Sequence, residues 1–226
     1  MQIVILTAGR GTRMKELTEN VPKNMLKIQG KPILAWKIEA LPAEIDEVIL
    51  VIGYLGEQIR AYFGDAYAGK KISYVVQERL EGSGKAIHLA KDLVGEKFLV
   101  MMGDDLYAKK DIEEILKYDL AVVGFEVDKP KEFGVISLNK EGDLAEIVEK
   151  PDIPGPALAN MGLYKLTKNF FDYSLVDIGK GEFGLPQTLA VMAKDFPVHV
   201  ERATGWFSIG NPEDLAKAQL EIEKFI

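Results

Sequence analysis

The sequence predicts a three-layer α/β protein with a mostly parallel, mixed central sheet and a small additional β region. Three observations predict it. Apolar runs rich in β-branched residues alternate with helical segments up to about residue 118, which is typical of a parallel sheet. Beyond that point, short strands broken by turn residues follow one another. Finally, 226 residues with 47% hydrophobic and 28% charged side chains suffice for a substantial core.

The first half begins with Gln2–Leu6, a continuous apolar run that predicts a buried parallel strand. It leads into a glycine-bearing loop. Pro32 then opens a predicted helix, because a proline in the first helical turn gives up no hydrogen bond. Further strands are predicted over residues 48–52, 72–76 and 98–102, and helices over residues 32–40, 57–63 and 84–93.

The second half contains more strands than helices. Asn211 is the predicted N-cap of the last helix, with Pro212 at its first position. No internal repeat or long linker interrupts the chain, so we expect one domain over residues 1–226. Strands are predicted over residues 120–127, 134–138, 144–148 and 161–165, and helices over residues 168–173, 185–194 and 213–223.

Composition excludes several classes of protein. The chain has no cysteine, which removes disulfides, thiolate catalysis and cysteine-bound zinc. No apolar run approaches the roughly 18 residues of a membrane span, and the N-terminus lacks the basic start of a signal peptide. We therefore expect a cytoplasmic protein that binds no membrane.

The net charge of −7 is unevenly distributed. Residues 1–37 hold seven basic and two acidic side chains, a local charge of +5, so the remainder carries −12. An acidic body argues against nucleic-acid binding, whereas a compact basic segment suggests a small anionic ligand. On charge alone, a chance cluster of solvated lysines is the simpler explanation.

The loop over residues 8–13 follows the first strand, at the edge where open α/β sheets bind ligands. Gly9 and Gly11 allow backbone amides to approach a phosphate, and Arg13 adds a forked contact. A dinucleotide fingerprint would need a third glycine where Met14 stands. Taken alone, this loop is almost as well explained by a tight turn.

Residues 82–85 are not a Walker A motif, because Arg79 and Ala86 stand where glycine and serine or threonine are required. His88 and His199 have no partner at metal-binding spacing, so we interpret both as structural.

Six sets of motifs occur in a characteristic order along almost the whole chain. They are Ala8–Arg13 with Val21–Lys23 and Gly30–Ile33, Gln77 with Gly82, Gly103–Asp104, Phe133–Val135, Glu149–Pro151 with Asn160–Tyr164, and Trp206–Leu215. In this order they resemble the sugar-1-phosphate nucleotidylyltransferases, which join an NTP to a sugar 1-phosphate and release pyrophosphate. The similarity includes glucose-1-phosphate uridylyl- and thymidylyltransferases and the pyrophosphorylase domain of N-acetylglucosamine-1-phosphate uridyltransferase.

The resemblance implies a Rossmann-like nucleotidyltransferase fold, with a nucleotide-binding half over about residues 1–118 and a sugar-phosphate-binding half over about residues 119–226. It implies catalytic roles for Arg13, Lys23 and Asp104. The implied nucleotide site consists of Ala8, Gly9, Gly11, Thr12, Arg13, Gln77, Gly82 and Ser83, and the implied sugar-phosphate site of Gly134, Glu149, Lys150 and Asn160.

The chemistry of this family suits these residue types. A sugar 1-phosphate oxygen is ionised near neutral pH, so its attack on the α-phosphorus needs positioning and charge neutralisation rather than a base. Asp104 is expected to hold Mg²⁺. The Gln77 amide offers a donor and an acceptor, which suits uracil or thymine. The partners implied are a nucleoside triphosphate, UTP or dTTP, and a sugar 1-phosphate, glucose 1-phosphate by default.

Each assignment has a plainer alternative. Lys23 would otherwise be a solvated loop lysine, and Asp104 would merely cap a turn. Lys27, Lys31 and Lys37 are interpreted as ordinary surface residues.

Ser208 is the main departure from the family pattern. Most relatives carry there an aspartate that shares the metal, and serine is a neutral and shorter ligand. The resemblance then implies that Asp104 carries Mg²⁺ nearly alone, and we expect activity to need more Mg²⁺ than a Ser208→Asp variant would.

Two other functions stay open at this point. One is a nucleotide-sugar-binding or regulatory protein that has lost turnover, and the other is a cytidylyl- or guanylyltransferase for another phosphorylated substrate. The sequence leaves no room for the β-helix acetyltransferase domain of some relatives, so acetyl transfer is not expected. Many relatives associate into homo-oligomers, although no apolar stripe identifies an interface here.

Overall fold

The computed structural model describes residues 1–225, which alternate strands with short helices. In chain order its strands are β1 (Gln2–Leu6), β2 (Lys27–Ile28), β3 (Lys31–Pro32), β4 (Glu47–Ile52), β5 (Ala66–Tyr67), β6 (Lys70–Val76), β7 (Lys97–Met102), β8 (Asp105–Tyr107), β9 (Ala121–Val127), β10 (Gly134–Leu138), β11 (Leu144–Glu149), β12 (Ala157–Thr167), β13 (Val176–Gly179), β14 (Glu182–Gly184), β15 (His199–Arg202) and β16 (Trp206–Ser208).

The helices are interspersed among these strands. The α-helices are α1 (Ile33–Ala40), α2 (Gly56–Phe63), α3 (Gly82–His88), α4 (Lys109–Ile115), α5 (Leu185–Met192) and α6 (Pro212–Glu221). Short 3₁₀ helices span Thr12–Thr18, Lys23–Met25, Pro130–Glu132, Lys168–Asp172 and Ile222–Lys224.

The main sheet is mixed. Its path runs β11-β10-β12-β7-β1-β4-β6-β5, and β9 joins β12 to β15. β1 pairs in parallel with both β4 and β7, and β4 pairs in parallel with β6. β12 runs antiparallel to β7, β9 and β10. The predicted three-layer α/β fold with a mixed sheet is confirmed.

Two apolar clusters cover the two faces of the sheet. Side chains of a strand point alternately to opposite faces, and in β1 Val4 belongs to one cluster while Ile3 and Ile5 belong to the other. The first cluster includes side chains of α3 and α5, and the second those of α1, α2 and α4. Because strands buried on both faces need apolar residues at every position, the unbroken runs of the sequence predict them well.

Some predicted elements have different boundaries. The helix predicted over residues 84–93 is α3, which begins at Gly82 and ends at His88. The chain continues in three-residue turns, such as the bond from the Leu93 N–H to the Ala90 carbonyl. The strand predicted over residues 161–165 extends over Ala157–Thr167 because it pairs with three neighbours, β7, β9 and β10, along its length.

The carboxyl ends of β1 and β7 lie side by side and carry the loops that concern function. The Thr7 N–H donates to the Val51 carbonyl at 2.9 Å, and the Gly103 N–H donates to the Leu6 carbonyl at 3.0 Å. The first bond ties the loop after β1 to β4, and the second ties the loop after β7 to the end of β1. Among residues 1–225, no helix has the length and apolar character required to cross a membrane.

Candidate active site

The loop after β1 contains two glycines in different situations. Gly11 has φ +64°, and a Cβ there would lie 2.9 Å from the Cβ of Lys23. Both the backbone conformation and the close approach of Lys23 therefore require glycine. A Cβ at Gly9 would meet no atom within 4 Å. Gly9 thus leaves its backbone open to an approaching ligand.

Lys23 forms an ion pair with Asp104. Its Nζ lies 2.5 Å from Oδ2 of Asp104, and Lys23 is only 6% exposed. The 3₁₀ turn Lys23–Met25 directs the lysine from one side, and the bend after β7 presents the carboxylate from the other. Burial excludes the interpretation of Lys23 as a solvated loop lysine.

Arg13 stands where three cavities meet, since it lines each of them. Its Nη1 lies 3.5 Å from the position that a Cβ of Gly210 would occupy. Within residues 1–225, no carboxylate forms an ion pair with Arg13. Its guanidinium can therefore offer both edges of the fork to a phosphate.

A polar cavity of about 260 Å³ lies beside the first loop, and we call it the phosphate-side cavity. Besides Arg13, five of the residues predicted for the nucleotide site or for catalysis line it. Its lining is Leu6, Gly9, Gly11, Thr12, Arg13, Lys23, Asn24, Asp104 and Gly210. Glycine amides, a guanidinium and an ammonium around one space form a suitable site for a polyanion.

A second cavity of about 310 Å³, the sugar-side cavity, adjoins Arg13 on the other side. All four residues predicted for the sugar phosphate line it, namely Gly134, Glu149, Lys150 and Asn160. Ser83, Asp105 and Ser208 also contribute to its wall. The two cavities therefore place candidate phosphate and sugar sites next to each other.

A bulge in β12 presents Asn160 to the sugar-side cavity. The register with β9 shifts between Asn160 and Tyr164, and such bulges re-aim side chains. The Asn160 Oδ1 accepts from the Gly162 N–H at 3.1 Å, and its Nδ2 donates to the Tyr164 hydroxyl at 2.7 Å. Burial raises the pKa of Tyr164. The amide is thus held in place by local hydrogen bonds.

The end of β11 supplies Glu149 and Lys150. Both side chains are largely exposed, and the Lys150 Nζ lies 3.9 Å from the Glu149 Oε1. Lys150 has φ +47°, an unusual conformation for a residue with a side chain, and its N–H donates to the Phe133 carbonyl at 2.9 Å. This strained turn directs the two side chains toward the cavity.

Gln77 and Ala8 do not line either of these two cavities. Gln77 is 8% exposed, and it lines a separate groove of about 430 Å³ that also includes Arg79 and His88. Its Nε2 is 3.4 Å from the Gly82 carbonyl. Ala8 is buried and packs against Gly53.

Gly82 is held by the β13–β14 hairpin, and Ser83 by the start of α5. Gly82 has φ +88°, and a Cβ there would lie 2.4 Å from the Phe183 carbonyl oxygen. The Ser83 Oγ accepts from the Leu185 N–H at 3.1 Å. These contacts give both residues structural reasons for their identity, and they connect the Gln77 segment to the second half of the chain.

Sequence reasoning missed Asp105 and misjudged Lys37. Both are almost fully buried, Asp105 at 7% and Lys37 at 5% exposure, so the interpretation of Lys37 as a surface residue is wrong. The Lys37 Nζ donates to the backbone carbonyl of Asp105. A single lysine in an otherwise apolar helix does not by itself indicate burial. The contact becomes evident only with its acceptor, the Asp105 carbonyl, which is 68 residues further along the chain.

Burial shifts both of these groups. It raises the pKa of Asp105 to about 7, helped by the nearby charge of Asp104 and opposed by the Ser208 hydroxyl. It lowers the pKa of Lys37 to about 7, against the attraction of Asp105 and Asp104. The region behind the two cavities is therefore a poorly solvated environment in which fixed charges act strongly.

The oxygen donors at the cavity junction suit a hard cation. The Asp104 side chain is 34% exposed, so an ion can reach it in spite of its pairing with Lys23. In the part of the chain from residue 1 to residue 225, no group of three or more histidine or acidic side chains is placed to hold a metal. A cation bound here would therefore complete its shell with water and ligand oxygens, as Mg²⁺ usually does.

Comparison with known proteins identifies related chains. A family model described as nucleotidyl transferase matches residues 2–224. The bifunctional protein GlmU of Methanocaldococcus jannaschii is 38% identical over 223 residues, covering 96% of this chain and 53% of that protein. The chain thus spans about half the length of that relative.

Two further comparisons extend over nearly the full length of both chains. The UTP–glucose-1-phosphate uridylyltransferase AglF of Haloferax volcanii is 30% identical over 236 residues, covering 99% of this chain and 97% of that protein. A crystal structure of UDP-glucose pyrophosphorylase complexed with UDP-glucose has a TM-score of 0.84 and 26% identity, covering 99% and 98% of the two chains.

Proposed function

The chain belongs to the nucleotidyl transferase family, among the sugar-1-phosphate nucleotidyltransferases, and we propose that it transfers a uridylyl or thymidylyl group from UTP or dTTP to a sugar 1-phosphate. The observation that carries this proposal is the placement of Arg13 between the phosphate-side and sugar-side cavities, with the Lys23–Asp104 pair on the wall of the first. One guanidinium shared by two cavities can position two phosphorylated substrates.

The reaction needs no proton transfer before attack. A phosphate oxygen of the sugar 1-phosphate forms a bond to the α-phosphorus of the nucleotide. The bond from that phosphorus to the bridging oxygen breaks, and pyrophosphate leaves with the electron pair. Because the attacking oxygen is already anionic, the protein contributes positioning and charge neutralisation. This agrees with cavities lined by arginine, lysine and glycine amides.

In this proposal the phosphate-side cavity holds the triphosphate. The backbone of Gly9 and Gly11 approaches the phosphates, and Thr12 with Ala8 shapes the same loop. Arg13 binds the departing β- and γ-phosphates through its fork. Lys23 moves its hydrogen bond from Asp104 to the α-phosphate as negative charge builds there.

The sugar-side cavity holds the sugar 1-phosphate. Glu149 and Asn160 accept from and donate to the sugar hydroxyls, Lys150 binds the phosphate, and Gly134 leaves room for the ring. A Cβ on Gly134 would lie 3.0 Å from the Glu149 Oε2, so the absence of a side chain at Gly134 leaves the space that the Glu149 carboxylate occupies.

Asp104 would hold Mg²⁺, since its carboxylate is a hard oxygen donor that an ion can reach from the cavity. When bound, Mg²⁺ neutralises phosphate charge and polarises the phosphorus–oxygen bonds. Asp104 also orients the Lys23 ammonium before the nucleotide arrives.

The proposed base and sugar rest on the Gln77 amide and on one relative. Gln77 with Gly82 and Ser83 would face uracil or thymine, since an amide can both donate to and accept from such a base. Glucose 1-phosphate is the proposed acceptor because a full-length relative is a UTP–glucose-1-phosphate uridylyltransferase. We further propose that the protein acts in the cytoplasm.

A pyrophosphate-release assay tests the proposal. Each of the common NTPs is combined with a panel of sugar 1-phosphates, and pyrophosphate is measured with Mg²⁺ present. Release with UTP or dTTP and glucose 1-phosphate is the expected result. Release only with GTP or CTP would identify a different nucleotidyltransferase. Tight UTP or dTTP binding by calorimetry without release from any pair would indicate a binding protein and overturn the proposal.

A further inference from the structure

Asp105 is a buried carboxylate on the wall of the sugar-side cavity. It begins β8, and the antiparallel ladder places it directly opposite Ser208 of β16. Opposite residues project to the same face of a sheet, and both side chains line this cavity. The next pair, Leu106 with Phe207, faces the other side and packs with Leu215 and Ala218 of α6 in a third apolar cluster. On the face that carries Asp105, the next pair is Tyr107 with Trp206, which packs into the second apolar cluster. Asp105 therefore lies where this buried face reaches the wall of the cavity.

The Asp105 carboxylate lacks a direct ion pair in the described part of the chain. Within residues 1–225, no lysine, arginine or histidine forms an ion pair with Asp105. Lys37 and Lys23 lie close enough to act on its charge, but the Lys37 ammonium donates to the backbone carbonyl of Asp105 and Lys23 pairs with Asp104. Buried carboxylates are normally paired or coordinate a metal. Within residues 1–225, no cationic group thus bonds directly to this carboxylate.

Asp104 and Asp105 lie on the walls of the two cavities that share Arg13. Asp104 lines the phosphate-side cavity and Asp105 the sugar-side cavity, and Arg13 lines both. The Lys23 ammonium is paired with Asp104. A bound triphosphate would offer this ammonium other acceptors and so free the carboxylate. A dication between two phosphorylated substrates would then have one carboxylate from each cavity.

We propose that Asp105 is a metal ligand of this protein and binds the divalent cation together with Asp104. Asp105 then supplies, from β8, the negative charge that the neutral Ser208 does not supply from β16. Two carboxylates with phosphate oxygens and water make a usual donor set for a hard dication. This inference rests on the proposed nucleotidyl transfer, which brings the phosphates to the junction.

Direct Mn²⁺ binding tests this assignment without relying on turnover. The free Mn²⁺ signal is measured by electron paramagnetic resonance, on nucleotide-free protein and on protein saturated with UTP. Asp105→Asn should weaken Mn²⁺ binding by about tenfold or more. Glu132→Gln is the matched control, because Glu132 is another carboxylate lining the same cavity, and it should leave the Mn²⁺ affinity unchanged.

An exchange variant separates ligation from a structural role. Asp105→Ser combined with Ser208→Asp keeps the composition and returns the carboxylate to the cavity from the opposite strand. It should bind Mn²⁺ within about threefold of the wild type. If Asp105→Asn binds Mn²⁺ like the wild type, or the folded exchange variant stays as weak as Asp105→Asn, the assignment is wrong. Circular dichroism verifies folding, and Asp105→Asn decides alone if the exchange variant does not fold.

The experiment also distinguishes failure of this inference from failure of the proposed function. If calorimetry shows no UTP or dTTP binding to the wild type, the proposed function fails. The Mn²⁺ affinities of the nucleotide-free wild type, Asp105→Asn and Glu132→Gln can still be compared in that case. If UTP binds and pyrophosphate is released while Asp105→Asn keeps its Mn²⁺ affinity, only the metal assignment fails.

Discussion

The Nζ of Lys23 lies 2.5 Å from Oδ2 of Asp104, although the two residues are 81 positions apart in the sequence. The ion pair joins the 3₁₀ turn after the first loop to the carboxyl end of β7. It leaves the ammonium almost fully buried at the edge of a cavity large enough for phosphate groups. The protein thus holds a positive charge in place before any substrate arrives, as electrostatic preorganisation requires.

Replacing Lys23 should reduce the rate of pyrophosphate release. Lys23→Ala removes a charge positioned for the transition state, so kcat should fall by about 10²–10³-fold with a smaller change in KM. Lys27→Ala is the matched control, because Lys27 is an exposed lysine of the same segment. Equal activity of the two variants would exclude the proposed role of Lys23.

Arg13 should matter through its fork as well as its charge. Arg13→Ala is expected to lower kcat/KM by about 10²-fold, and Arg13→Lys should recover only part of this loss because lysine cannot bind bidentately. Arg10 lies on the same loop, and its guanidinium carbon is 5.6 Å from the centre of the Tyr54 ring. Arg10→Ala should therefore stay near wild-type activity. A full recovery by Arg13→Lys would contradict bidentate phosphate binding.

The two glycines of the first loop should respond differently to alanine. Gly11→Ala forces a Cβ against Lys23 at φ +64°, so we expect it to lower the free energy of unfolding by about 1–3 kcal/mol. Gly9→Ala meets no atom within 4 Å and should leave stability near wild type. Instead it should weaken UTP binding, because the methyl group occupies the space in which phosphate approaches the backbone.

Urea unfolding and calorimetry distinguish the two effects. A Gly9→Ala variant that binds UTP with unchanged affinity would remove this loop from the phosphate site. A Gly11→Ala variant as stable as the wild type would show that the Lys23 turn can shift to accept the methyl group.

The sequence predicts the centre of the fold well and its small connecting strands poorly. The bounds of β1 match the prediction of Gln2–Leu6, because a strand buried on both faces is a continuous apolar run. The cap of α6 is also confirmed, since Asn211 accepts from the Asp214 N–H in a capping box. Both features depend on local sequence alone.

The candidate site contains what local sequence cannot predict. β8 and β16 have three residues each, too few to show a period, so their pairing of Asp105 with Ser208 has no sequence signal. The family motifs locate Arg13, Lys23 and Asp104, and the structure brings these side chains around neighbouring cavities. Gln77 lies in a separate groove, and Glu81 of that groove accepts a hydrogen bond from the Phe183 N–H of the distant β13–β14 hairpin.

His88 should make stability depend on pH in mildly acidic solution. The centroid of its ring lies 5.2 Å from that of Phe171, in an edge-to-face contact. Burial lowers the pKa of His88 below the ordinary 6.5, and the nearby charges of Lys91 and Lys85 lower it further. The unfolded chain then binds more protons than the folded chain as pH falls below 6.5, so the free energy of unfolding decreases through that window. Above pH 6.5 this contribution is fully retained.

His88→Gln removes the titrating group, so its Tm should fall less than that of the wild type between about pH 7 and about pH 5. Lys91→Gln removes one cause of the shift and should give an intermediate result in thermal unfolding monitored by circular dichroism. A wild-type Tm that falls no more than that of His88→Gln over this range would show that the imidazole accepts its proton in the folded protein without cost.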